Sequence, residues 1–262
     1  MRGFTRVLRF ALATQCARLM PRILLLGAPV AGFAAAVIAE GSPTEGARGL
    51  ADALGILLPG LMLAGLALGT AALRGERGED SLRSLLLTPQ SRLAILLGCA
   101  AAATLMALSV ALLAGLSAAL RILATRAFGD VAPDGFFITE SVVINQQVWR
   151  LAPLFFLALP AAVSMGALAS TLLEDGLIAF LLGGALLFVP VFFTVPDAVP
   201  HASFALARHA LHTLEELGCG RTELEATAMA PGYLTHHILL QIGSTAVLLA
   251  AASVIFRSSE RA

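Results

Sequence analysis

The residues best suited to chemistry lie late in the chain. His209, His212, Glu216 and Cys219 fall at i, i+3, i+7 and i+10, which on a continuous helix places four metal-ligand types on one face. Leu206, Leu211, Leu214 and Leu217 form the opposite face, so the plainer account is an interfacial helix with its wet side outward. Gly218 is a natural helix terminator and would end the helix before Cys219 joins that face. His209, His212 and Glu216 are thus weak metal candidates, and no resident metal is expected. His236 and His237 stand at the outer end of the last apolar run and read as interfacial.

Other chemistries are closed off by composition. The Lys+Arg total is 17 and every one of these residues is arginine. Without lysine there is no Walker A loop to hold nucleotide phosphates and no Schiff-base catalyst. Any nucleotide hydrolysis must therefore be done by another chain. The apolar runs carry no His/Asp/Glu cluster and no activated Ser or Cys, which argues against an enzyme. Asp52, Glu174 and Asp175 lie at the ends of those runs, and Gln241 is the main polar residue inside one, so a proton or sodium relay is not expected. Cys16, Cys99 and Cys219 form no CxxC pair and imply no disulfide framework.

The elements that must position any site are membrane spans. Hydrophobic residues make up 58% of the 262-residue chain and charged residues 13%, with a mean hydropathy of +0.87. Ordinary soluble domains are about 25% charged. About 20 apolar residues cross the hydrocarbon core as a helix. Six runs approach that criterion: Ile23–Ala39, Ala53–Leu73, Leu93–Leu120, Leu151–Leu173, Leu177–Val195 and Ile238–Phe256. The expected fold is all-α and polytopic, with about six transmembrane helices. No internal repeat or soluble domain is evident.

Arginine placement orients these spans. With the N-terminus inside, the inner segments hold Arg2, Arg6, Arg9, Arg18, Arg22, Arg74, Arg77, Arg83, Arg92, Arg257 and Arg261; the outer ones hold Arg48, Arg121, Arg126, Arg150, Arg208 and Arg221. Both termini and the loop between the second and third spans are therefore expected in the cytoplasm. Residues 1–22 precede the first span. In them Arg2, Arg6 and Arg9 share one helical face, and Phe4, Val7, Leu8 and Ala11 the other, as in a helix lying among headgroups with its arginines toward anionic lipid. Pro21 would let the chain turn into the span. A signal peptide is the rival reading, but the charged region is long and amphipathic and further spans follow.

Two outer segments are long. Ala127–Val148 is polar and leads to Trp149-Arg150, an interfacial anchor at a span entrance. The other, 196–232, is the external interfacial region that holds most of the histidines. In the second span Gly65 and Gly69 form a small-xxx-small pair that lets helix backbones approach, either within one chain or across a dimer.

The loop at 74–92 is the most specific stretch. Glu76, Glu79 and Asp80 lead into a short amphipathic segment in which Leu82, Leu85 and Leu86 share one face and Arg83 another. Thr88-Pro89 breaks it, and the chain re-enters hydrocarbon at Leu93. This region resembles the cytoplasmic loop and third span of ABC-2-type transporter permeases. Ser81-Leu82, Leu85-Leu86, Thr88-Pro89, Ser91-Arg92 and Leu96-Leu97-Gly98 match that family's pattern, while Asp80 replaces its common Gly and Cys99 its common Lys. The N-terminal amphipathic helix resembles the family's elbow helix, and Phe256-Arg257 with Glu260 resembles its closing motif.

The resemblance implies an exporter permease in a bacterial cytoplasmic membrane, working as a homodimer or heterodimer with a cytosolic ABC ATPase subunit under each copy. ATP and Mg would reside on the ATPase, and this chain would bind no cofactor. Glu76, Glu79, Asp80, Leu82, Arg83, Leu85 and Leu86 would couple the ATPase to the spans. Membrane lipid is a further partner; nucleic acid is not. A narrower resemblance links Gly176–Phe193 to the fifth span of the haem-exporter-like cytochrome c biogenesis permease. A different class remains open: a non-transporting anchor that recruits a cytosolic protein through the same loop.

Overall fold

A computed structural model describes residues 2–39, 46–77, 91–125, 141–173, 175–193 and 231–258. These fold into helices: α1 (Arg2–Ala17), α2 (Leu19–Ile38), α3 (Gly46–Arg77), α4 (Arg92–Thr125), α5 (Ser141–Leu172), α6 (Gly176–Phe193) and α7 (Pro231–Ser258). No strand occurs among the described residues. Five helices contain stretches long and apolar enough to cross a membrane: Leu19–Ile38, Gly49–Leu73, Arg92–Thr125, Phe155–Leu172 and Ile238–Phe256. Every described element is helical, and on this composition and length the chain is a multi-pass membrane protein. In α6 the apolar stretch Gly176–Phe188 is shorter.

The helix starts follow local chemistry. Ser91 precedes α4, and its Oγ accepts from the Ala94 N–H at 3.3 Å. Asp175 caps α6 by accepting from the N–H groups of Leu177 and Ile178 at 2.8 and 3.1 Å. The turn from α1 into α2 comes at Arg18, whose backbone is extended (φ −75, ψ 147), rather than at Pro21. Pro21 lies in the first turn of α2, where a missing N–H costs nothing. Other bounds also differ from hydropathy. α3 continues past Leu73 to Arg77, so Glu76 is helical, and α5 starts at Ser141, before Trp149 and Arg150, while its apolar span stretch is Phe155–Leu172. Helical hydrogen bonding does not stop where apolarity does.

Two buried clusters stack along the bundle. One unites Ala28–Ala36 of α2 and Ala39 just beyond it, Ala53–Met62 of α3, Val110–Ile122 of α4, Phe155–Ala162 of α5 and Leu187 of α6. The other unites Val7 and Ala11 of α1, Leu68–Leu73 of α3, Ile95–Ala107 of α4, Val163 and Ala167 of α5, and Ala252 and Phe256 of α7. Residue numbers rise from the second cluster to the first in α4, and fall in α3 and α5. These helices therefore run up and down alternately. Alanine and glycine dominate the contacts because small side chains let backbones pack closely where lipid supplies no hydrophobic drive. The outward faces are apolar, as Leu26 (78% exposed), Leu116 and Val247 illustrate.

Candidate functional site

The chemically distinctive region is the end of the bundle where α1, the end of α3, the start of α4 and the end of α7 meet. Val7, Ala11 and Gln15 recur at i, i+4 and i+8 on α1 and are all buried, at 1%, 2% and 3% exposure. This stripe packs against α4: a methyl group on Gly98 would lie 2.6 Å from Val7 Cγ1, and the Cys16 thiol lies 4.0 Å from Met106 Sδ. Both contacts ascend together, so α1 follows the first turns of α4 in the same direction. Arg6 and Arg9 are exposed; nothing is described of the Arg2 side chain. Phe4, expected on the apolar face, is 38% exposed. With Thr5, Ser91, Leu93, Ala94 and Leu97 it lines an open cleft of about 490 Å³ between the beginnings of α1 and α4.

The break between α1 and α2 is polar. Arg18 Nη1 donates to the Ala71 carbonyl of α3 at 3.0 Å, and Arg22 Nε donates to the Cys16 carbonyl at 2.7 Å. Two polar atoms there are buried without a hydrogen-bond partner, Gln15 Oε1 and Arg18 Nη2. Sequence reading had counted Arg18 only as an inner charge and passed over Gln15. The signal was present: Gln15 is the polar residue that continues an otherwise apolar stripe.

Gly65 and Gly69 face α5 of the same chain. A methyl group on Gly65 would meet the Ala162 and Val163 side chains at 3.5 and 3.6 Å, and one on Gly69 would strike the Val163 carbonyl. Glu76 lies in α3 with its side chain undescribed. Glu79, Asp80, Leu82, Arg83, Leu85 and Leu86 fall outside the described residues, as do His209, His212, Glu216 and Cys219.

Elsewhere the buried polar residues among those described are few: Thr70, Ser164, Ser170, Thr171 and Gln241. Buried Thr70, Ser164, Ser170 and Thr171 each donate to a carbonyl three or four residues back on their own helix, which satisfies the hydroxyl proton locally. No grouping of three His, Cys, Asp or Glu side chains occurs among the described residues. The arrangement can transmit movement between helices and present charge at one end.

The chain matches no protein-family model and no curated protein.

Proposed function

We propose that this chain is the membrane-spanning permease subunit of an ABC-type exporter, with the translocation path formed by two permease copies and driven by separate cytosolic ATPase subunits. The observation that carries the reading is the convergence at one end of the bundle. α3 ends there at Arg77, α4 begins there at Arg92, and α1 and the end of α7 pack beside them. Those are the segments where sequence places the arginine excess and the family-like loop. In this reading that end is cytoplasmic, the membrane is a bacterial inner membrane, and α6 is the sixth crossing, its 18 residues spanning about 27 Å.

The mechanism follows from which helices are tied together. A load applied to the loop reaches α3 and α4 directly through its two ends. α1 joins both helices, through Val7 against Gly98 and through Arg18 on the Ala71 carbonyl, so it would move with them as one lever. α3 is in turn clasped to α5 at Gly69 and Gly166. ATPase closure would thus shift α1, α3, α4 and α5 together, with α2 carried by α4 through the Gly32–Ala114 contact. The path would be lined by small and apolar residues, which suits an amphipathic cargo. ATP and Mg act on the partner subunit.

The test is a pull-down of the tagged chain from native membranes in mild detergent. Recovery of a stoichiometric ABC-type ATPase is the expected result. Intact, well-extracted chain without an ATPase would overturn the reading in favour of an anchor for some other cytosolic protein.

A further inference from the structure

We propose that the break between α1 and α2 is a binding site for a phospholipid headgroup, whose phosphate is held by Arg18 and Arg22 and whose hydroxyl or ammonium donates to Gln15. The inference rests on three observations and is independent of the transporter reading.

First, the break holds two unsatisfied polar atoms of opposite demand. Arg18 Nη2 is a charged donor without an acceptor, and Gln15 Oε1 is an acceptor without a donor. Gln15 is 3% exposed. A buried polar group left unpaired is costly, and a charged one more so, so each needs a partner in the working state. A phosphate ester beside a hydroxyl or ammonium offers an acceptor and a donor together. Phosphatidylglycerol and phosphatidylethanolamine have that pairing; phosphatidylcholine has the phosphate but no donor.

Second, a further cation is fixed beside them. Arg22 is exposed, and its Nε is tied to the Cys16 carbonyl at 2.7 Å. That contact holds the guanidinium against the break with its terminal nitrogens left to reach an anion. A guanidinium presents paired donors that match a phosphate, which is why arginine is the side chain suited to hold one.

Third, the break lies at headgroup depth. α2 has 20 residues, about 30 Å of helix, which matches the hydrocarbon thickness and puts Leu19 at one boundary. The apolar stretch of α3 ends at Leu73, just past the Ala71 carbonyl that Arg18 grips. α4, with 34 residues, is about 51 Å long, so its first turns, the ones α1 follows, extend beyond that boundary. Leu19, 74% exposed, and Met20, 42%, stand outward beside the break, an apolar border against which acyl chains can lie.

The experiment is native mass spectrometry of the delipidated full chain in mild detergent, titrated separately with phosphatidylglycerol, phosphatidylcholine and inorganic phosphate. One phosphatidylglycerol should be retained per chain, more tightly than phosphatidylcholine. Arg22→Gln, an exposed change that leaves the packing intact, and the double change Arg18→Gln with Arg22→Gln should each weaken retention, the double by about tenfold or more. Gln15→Leu should narrow the preference for phosphatidylglycerol over phosphatidylcholine, whereas Arg6→Gln with Arg9→Gln should leave retention at the break unchanged. Equal retention by wild type and Arg22→Gln would overturn the site. Competition by inorganic phosphate at equal concentration would assign the break to a free anion, and no specific retention would leave it to water; either result also overturns the proposal.

Discussion

Gly69 of α3 and Val163 of α5 approach so closely that the Val163 carbonyl occupies the space where a Gly69 side chain would begin. The contact is reciprocal, because Gly166 of α5 meets the Leu66 carbonyl and lies 2.9 Å, measured from an added methyl, from the Thr70 nitrogen. Such an approach brings Cα–H groups onto facing carbonyls and replaces side-chain packing by backbone contact. α3 and α5 therefore cannot separate or slide without losing both contacts at once.

A side chain at Gly69 should break this clasp. Gly69→Val is expected to destabilise the protein by about 1–3 kcal/mol, the usual cost of overpacking. Gly60 on the same helix has nothing within 4 Å of an added methyl, so Gly60→Ala should change stability by less than about 1 kcal/mol. Thermal unfolding of the two variants in detergent separates these outcomes, and similar melting temperatures would show that the helices do not meet at Gly69.

α1 should be capturable on α4. An added Cβ at Gly98 would lie 3.0 Å from Val7 Cβ, a little inside the spacing of a disulfide and within small relaxation of it. Val7→Cys with Gly98→Cys, in a background lacking Cys16, Cys99 and Cys219, should oxidise to a link between α1 and α4. With a protease site inserted between residues 40 and 45, the two fragments should stay joined until reduced.

Sidedness follows from the alternation of helices. Ser91, before α4, and Thr125, at its end, are both exposed. In the proposed topology, Ser91→Cys should react with a membrane-impermeant thiol reagent from the cytoplasmic side, and Thr125→Cys only from the other. Labelling of both from one side would rule out a crossing by α4.

Partner capture should depend on the loop leucines. Under the proposed coupling, Leu82→Asp with Leu85→Asp is expected to abolish co-purification of the proposed ATPase while the chain still inserts. Undiminished capture would move the partner's footprint away from the loop, with the cleft beside Phe4 and Leu97 the next surface to alter.

The middle of α2 offers a smaller effect. Ser117 Oγ donates to the Pro29 carbonyl at 2.7 Å, next to the place where Gly32 meets the Ala114 backbone. Ser117→Ala should lower stability by about 0.5–1.5 kcal/mol in the same unfolding assay.

The sequence by itself determined the membrane class, the all-helical fold and the position of most apolar helices, because a run of about 20 apolar residues in hydrocarbon has little choice but to satisfy its backbone internally. The caps at Ser91 and Asp175 are contacts between near neighbours that the structure supplied. Sequence spacing marked Gly65 and Gly69 as a close-approach face but left two possible partners for that face. Only the tertiary structure assigned the face to α5 of the same chain, laid α1 along α4, and carried Arg18 to the carbonyl of Ala71. Those outcomes join residues far apart in sequence, and periodicity names the face a helix buries without naming the helix that covers it. The polar break at Gln15 and Arg18 belongs to the same class: each residue is unremarked alone, and burial by distant helices leaves both in need of a partner.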